Sequence, residues 1–470
     1  MFASAVMADE LDDLMRQAGN SSPWNVSGYL RNEIAYRYHE PRSYTKLKNI
    51  VFSEISKPLS PRFKFLLSGR AFHDAVYQLF DYDTITARYL RDEDQPLSYV
   101  ESLPQEADIS GAEIREFYID LNTRHADIRL GKQFIVWGKI TGVRIVDEIN
   151  PQDFSELILP DLLDYRIPLW SGRLNIYSDL ADIEAIVIPE LKFHQAAPGG
   201  SEWELLQEVP GTWYPNRKDP LNWEYGVKLS RSIGDTEAFA SYFYTWDDFP
   251  VIFRQLSFNG STDGRELDNE TFRPKHTRIQ MFGTGLRRQI GGQILNIEAA
   301  FVKDKYFGLK LIERLNENNL NSAGVLRRDH LRYGISVDTN ILHTDITPGV
   351  TQWYIFDHNS DLIQNRFDTT VNLFIRKEFH NINSRMEILG IWLLNLNESF
   401  IKPKFIYSPS SRLNLSIGLD LLSGKKSQTG LVAVDGSTAV LKEVTQSTQF
   451  IGNFNNNDRI FMNIQYNFQK

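Results

Sequence analysis

Eighteen stretches of this chain alternate apolar and polar residues with a period of two, and most run for 10–15 residues. They span 24–38, 45–57, 62–76, 112–123, 125–137, 168–178, 181–193, 222–232, 235–247, 276–289, 291–304, 329–342, 345–357, 366–379, 382–397, 399–408, 410–423 and 457–468. Strands of globular proteins average roughly 5–6 residues. A strand tilted across a bilayer needs about 9–11. Strand length is therefore the first constraint, and it favours a membrane wall.

The links supply the second constraint. Short connections at 57–61, 124–125, 178–182, 233–236, 290–293, 343–346, 380–382 and 408–411 alternate with long ones at 77–111, 138–167, 194–221, 248–275, 305–328 and 424–456. The link near Asn397 is short where a long one is due. Tight turns on one rim and long loops on the other describe a transmembrane antiparallel up-and-down β-barrel, with short periplasmic turns and long extracellular loops. The fold class expected is all-β, with about 18 strands. An even strand number would put both ends of the wall on the periplasmic side.

Alternation alone does not say which face meets lipid. Size decides: a closed barrel of about 18 strands is too wide to be filled by side chains, so its lumen holds water and its apolar face turns outward. In 410–423 this turns Leu413, Leu415, Ile417, Leu419 and Leu421 to lipid. In 457–468 it turns Ile460, Met462, Ile464, Tyr466 and Phe468 outward. Aromatics near strand ends, among them Tyr36, Trp137, Tyr225, Trp246, Trp353, Tyr354 and Tyr466, fit interfacial girdles. The stretch 276–289 sorts poorly by parity, and a bulge at Gly283 or Gly285 would reset it; Gly131 offers the same escape for Lys132, which shares a face with Leu130.

No run approaches the roughly 18 apolar residues of a membrane helix, and mean hydropathy is −0.35. The chain has no cysteine, which removes disulfides, thiolate metal sites and Cys nucleophiles. The net charge of −9 is spread along the chain without a basic patch, so nucleic acid is not an expected partner. Residues 1–8 read either as the end of a signal peptide cleaved after Ala8 or as a short tail. Residues 9–22 form a short amphipathic segment expected in the periplasm, with Leu11, Leu14 and Met15 on one face, and 23–470 form a single barrel domain.

No Walker loop, GxSxG elbow or HExxH motif is present, so neither an enzyme nor a cofactor is expected. The nine histidines are scattered and read as surface or girdle residues. In 357–368, Asp357, Asn359 and Asp361 match the start of a calcium loop, but Leu362 stands where glycine is needed and Asp368 where glutamate is needed. The remaining chemistry lies in inward charges. Parity places Glu116, Asp120, Asp127, Arg129, Glu224, Lys228, Glu298, Arg332, Asp338, Arg376, Arg412 and Asp420 in the lumen. Neither sign dominates, so strong ion selectivity is not expected.

One segment stands apart. "LGKQFIVWGKITGVRIVDEINPQD" (130–153) carries Gly131-Lys132-Gln133, then Trp137-Gly138, then Asn150-Pro151 and Asp153. It resembles a domain-of-unknown-function family of Gram-negative outer-membrane barrels, whose Gly-Arg-Gln strand ends in Trp-Gly and is followed by Asn-Pro-x-Asp. Lys132 here stands in place of the arginine. More loosely the strand is similar to that of alginate-export and porin-like barrels. The resemblance implies an outer-membrane location in lipid and traffic of lipidic or hydrophobic compounds alongside periplasmic components of an RND-type exporter. The aromatic near the end of the last strand resembles the signal read by the barrel assembly machinery, although Gln469 and Lys470 follow Phe468.

Two functions are consistent with these features: a porin-like channel, and an anchoring or interaction barrel without pore activity. The expectation for 138–167 is a loop that turns into the lumen and narrows it, with Trp137 at the outer girdle, Gly138 at the exit from the wall, Asn150 and Pro151 at the bend, and Asp153 and Phe154 in the constriction. A loop packed on the outer rim is the other arrangement these residues allow.

Overall fold

The computed structural model describes residues 24–81, 84–85, 109–140, 142–198, 201–203, 212–259, 266–310, 323–425, 430–434, 438–442 and 450–469. The segments 1–8 and 9–22 lie outside the described residues. Among the described residues twenty-two strands are formed: β1 Asn25–Arg37, β2 Ser43–Pro58, β3 Phe63–Asp74, β4 Ser110–Asn122, β5 Ala126–Gln133, β6 Leu169–Ile176, β7 Asp182–Ile188, β8 Glu224–Ile233, β9 Thr236–Trp246, β10 Val251–Asn259, β11 Glu266–Lys275, β12 Arg278–Ile290, β13 Gln293–Gly308, β14 Val325–Ile341, β15 Thr344–Ile355, β16 Phe367–Phe379, β17 Ser384–Leu393, β18 Glu398–Tyr407, β19 Leu413–Ser423, β20 Gly430–Val434, β21 Thr438–Lys442 and β22 Arg459–Gln469. Eighteen of them form one sheet; β10–β11 and β20–β21 are separate hairpins in two of the long connections.

Each wall strand pairs antiparallel with its neighbour in sequence, β9 with β12 and β19 with β22. The wall closes where β1 pairs with β22, Arg31 opposite Gln465 and Ala35 opposite Phe461. The chain is thus a closed 18-stranded antiparallel barrel, and its wall strands coincide with the eighteen alternating stretches.

The wall separates its two faces as a bilayer demands. Leu30, Val51, Leu130, Ile297, Ile335, Ile417, Ile460, Met462 and Ile464 are exposed outside. Asn296, Glu298, Arg332, Ser336, Asn372 and Asp420 are buried inside. Lys132 lies on the outer face, one residue before the end of β5, where a charge reaches the interface at little cost.

The two suggested bulges are absent. The register of β12 runs unbroken through Gly283 and Gly285 against both neighbours, and that of β5 through Gly131. Gly131 has φ +137° and a Cβ there would collide with the Phe117 carbonyl, so the glycine answers a close backbone approach. Strand β12 defied parity because its inward Ile279 and Met281 are apolar and belong to an internal core. That core is made by the loop after β5.

Candidate functional site

β5 ends at Gln133, earlier than alternation suggests, and the chain then turns inward. Ile135 and Trp137, followed by Ile145, Val146 and Ile149, pack against Ile186 and Ile188 of β7, Phe239 and Phe243 of β9, Ile279 and Met281 of β12, and Ala300 and Val302 of β13. Trp137 is therefore not a girdle residue. It is 1% exposed, its Nε1–H donates to Glu184 of β7 at 3.0 Å, and its ring meets Phe243 at 6.1 Å. A core assembled against the inner wall outweighs the interfacial preference of the indole. Gly283 of β12 makes room for it: a Cβ there would lie 2.6 Å from Val146.

Having left the ladder, the segment satisfies its backbone with side chains. Asn150 accepts from the Ile135 N–H at 2.8 Å and donates to the Ile167 carbonyl at 2.8 Å, tying the two ends of the loop together. Pro151 contributes its carbonyl to the Ile167 N–H at 2.9 Å. Asp147 holds Arg166 in a buried pair, with Nη1 at 3.1 Å. Asp153 caps a turn through the Ser155 N–H at 2.9 Å. Gly138 lies beside Asp147 and Glu298, and the Lys139 and Ile140 N–H groups donate to the Glu298 carboxylate, the latter at 3.1 Å.

The loop then touches strands around the barrel. Glu148 pairs with Arg332 of β14 at 3.0 Å. Glu156 pairs with Lys46 and Lys48 of β2 at 2.7 and 3.3 Å, and lies 3.7 Å from Arg459 of β22. Asp164 pairs with Arg31 of β1 at 2.8 Å, and Asp161 with Lys404 of β18 at 3.3 Å. A segment bonded to β1, β2, β7, β13, β14, β18 and β22 at once lies inside the lumen and not on the outer rim.

Charge holds it there. Burial alone would raise Glu148, but Arg332 and Arg144 hold its carboxyl at about 2. Glu156 is likewise held well below the usual range by Lys46 and Lys48, against the effect of burial. His194, on the connection after β7, is lowered to about 3 by burial. Its Nδ1 accepts the Gln152 N–H at 2.9 Å. His276 and His330 are buried and His194 nearly so, contrary to the surface reading of the histidines, and each ring packs on an aromatic side chain.

The remaining charges assigned to the lumen are found as follows. Asp120 and Arg129 pair at 2.6 Å. Lys228 reaches Glu184 at 2.9 Å. Asp420 holds Arg459 at 2.8 Å, and Asp338 accepts from Asn296 at 3.1 Å. Glu224 accepts from the Thr245 hydroxyl and, at 3.3 Å, from the Trp246 N–H. Glu116 is a half-buried residue of β4, and Asp127 accepts from Tyr177 at 2.7 Å by the short-turn rim. Arg376 pairs locally with Glu378 at 2.7 Å. Arg412 is a correction: it is an exposed turn residue before β19, because that strand begins at Leu413. Trp353 is another. Opposite the inward Arg332, it faces the lumen with the guanidinium 4.5 Å from its ring centre, while Tyr354 faces out.

Beside the loop, toward β9 and β12–β18, a cavity of about 940 Å³ remains. Its wall includes Phe374, Leu389, Ile391 and Leu393, inward positions on β16 and β17 that the reading by polarity passed over. The signal was present: "ILGIWLL" (388–394) is apolar on both faces, the mark of a strand covered on both sides. Toward β1–β3 and β22 lies a smaller cavity of about 80 Å³, its lining including Arg31, Lys46, Arg70, Glu156 and Arg459.

Residues 51–315 match a family described as "Protein of unknown function (DUF1302)". No curated protein matches the sequence. Among solved structures, OccAB3 of Acinetobacter baumannii aligns with a TM-score of 0.49 at 10% identity, covering 95% of this chain and 99% of that one. OccK8 (OprE) of Pseudomonas aeruginosa gives 0.48 at 9%, covering 95% and 98%. The outer membrane protein OpdK of P. aeruginosa gives 0.48 at 8%, covering 95% and 99%.

Proposed function

The chain belongs to the family of proteins of unknown function DUF1302, and we propose that it works as a porin-like channel in the outer membrane of a Gram-negative bacterium. The carrying observation is the loop 134–168 fixed inside a closed wall, beside a cavity of about 940 Å³. An apolar outer face opposite a charged, hydrated inner one supports a pore. A barrel that only anchored partners would need no charged interior clasped to an inserted loop. Trp137, Gly138, Asn150, Pro151, Asp153 and Phe154 belong to the constriction in this reading.

The lining bears on the solute. Ionic walls alone would suit small ions, but the cavity combines paired charges with the aliphatic stripe Leu389–Ile391–Leu393 and with Phe374. That mixture suits small amphipathic or hydrophobic molecules. Delivery by a periplasmic exporter, and insertion through β22 by the barrel assembly machinery, complete the proposal.

Single-channel recording of the purified barrel in planar bilayers tests it. Discrete conductance steps are expected, larger when 138–167 is replaced by a short linker. A barrel that passes no current in either form would sink the channel reading.

A further inference from the structure

Among the described residues, one carboxyl lining the large cavity accepts no hydrogen bond. Asp248 lies in the connection between β9 and β10, and its side chain is 12% exposed, toward the cavity. No hydrogen bond to its carboxylate is formed among the described residues. The nearest ring nitrogen, Nδ1 of His194, is 3.8 Å away. It cannot donate, because it already accepts the Gln152 N–H.

None of the cations lining this cavity is bonded to Asp248 among the described residues. Arg166 is held by Asp147, Arg332 by Glu148 and Lys305 by Asp247, Arg144 donates to the Asp147 and Asn150 carbonyls, while Lys139 lies 3.4 Å from Glu237 and Lys402 3.8 Å from Asp420. Asp247, the neighbour of Asp248 in sequence, thus has its lysine, and Asp248 has none. Burial raises the Asp248 carboxyl well above its usual range, and the negative charges of Glu224, Glu148 and Asp247 push the same way, while Arg144 opposes them. A nearly buried carboxyl with no hydrogen bond among the described residues, close to further carboxylates, is the complement of a cation.

The surroundings are aromatic on one side and aliphatic on the other. His194 lies 4.5 Å from the Phe249 ring and 5.2 Å from the Phe154 ring, and Phe154 lies 6.2 Å from Phe450. Ring faces of this kind attract ammonium groups. Leu389, Ile391 and Leu393 line the same cavity from β17.

We propose that Asp248 is the recognition residue of the lumen cavity and that the cavity takes an amphipathic amine, with its ammonium at Asp248 among the phenylalanines and its apolar body on the inner face of β16 and β17. This rests on the channel reading, since the solute enters from the lumen. A carboxylate or phosphate solute would meet Glu148, Asp247 and Asp248 together and is disfavoured.

Calorimetric titration of the folded protein in micelles with hexylammonium, hexanol and hexanoate tests it, with folding checked by heat-modifiable mobility. Hexylammonium should bind roughly tenfold or more tighter than either other probe, the scale of one charge-assisted bond. Asp248→Asn should reduce it to the level of hexanol. Ile391→Ser should weaken hexylammonium and hexanol alike and leave their ratio intact. Hexanoate binding as tightly as the amine, a preference that survives D248N, or no binding by any probe overturns the proposal. If D248N does not fold, the ranking of the three probes on the native protein still decides. A barrel that conducts but shows no amine preference removes this inference and leaves the channel standing.

Discussion

Nη1 of Arg332, on β14, lies 3.0 Å from Oε1 of Glu148, in the loop after β5. The arginine is buried and stacks on Trp353. The carboxylate is what lets the guanidinium tolerate that burial.

Arg332→Ala should therefore undock the loop. Breaking a fully buried pair by removing one partner costs about 3–5 kcal/mol, and the cost here falls at or below the low end because the remaining Glu148 is about a quarter exposed. The expected readout is larger or more flickering single-channel conductance, with faster amide exchange over 142–153. Unchanged conductance and exchange would show that the loop is held without this pair.

Trp137→Ala should act on the apolar side of the same attachment. The indole fills the centre of the internal core, and its loss is expected to cost about 3–5 kcal/mol. The check is the temperature at which the heat-modifiable form converts, which should fall while the loop ion pairs stay intact.

Gly283→Val tests the fit of loop to wall. Its side chain would occupy the space of Val146 and of the Ser241 hydroxyl, so the loop must shift while β12 keeps its pairing. The barrel should still form, as judged by gel mobility, and conductance should change. A barrel with native conductance would place Val146 elsewhere.

Acid should loosen the loop. Glu148 is lowered from 4.5 to about 2 and His194 from 6.5 to about 3, so both bind protons more readily once the loop is released. The stability they lend to docking is complete above about pH 6.5 and is lost as pH falls, through His194 first and then through Glu148 below about 4.5. Conductance measured from pH 7 to pH 3 should rise, and Glu148→Gln should abolish the lower part of the change. A flat profile in the native protein would count against the electrostatic clasp.

How much of this was legible follows from what period-two alternation encodes. It assigns residues to two faces, so Ile460 and Met462 outside, and Glu298 and Asp420 inside, could be read directly. It does not say what covers an inner face. Ile279, Met281, Leu389 and Ile391 are inward and apolar because an inserted segment and a cavity lie against them, and those neighbours come from distant parts of the chain. Trp137 was misassigned for the same reason: alternation continues past Gln133, while the backbone does not continue the ladder. Asn150 and Asp147, which take over the freed N–H groups, carry no local sign of that task.

Glu156 has a consequence of another kind. Lys46 belongs to β2 and Arg459 to β22, so this side chain from an early loop bonds to strands on either side of β1, where the wall closes. Joining the two most widely separated parts of a chain carries a large entropic cost and is slow. A carboxylate that grips both ties the two sides of that join together. Glu156→Gln is accordingly expected to slow refolding into micelles, followed as the time course of the mobility shift, more than it lowers the stability of the finished barrel. The segment that narrows the passage would then also set the pace at which the wall is completed.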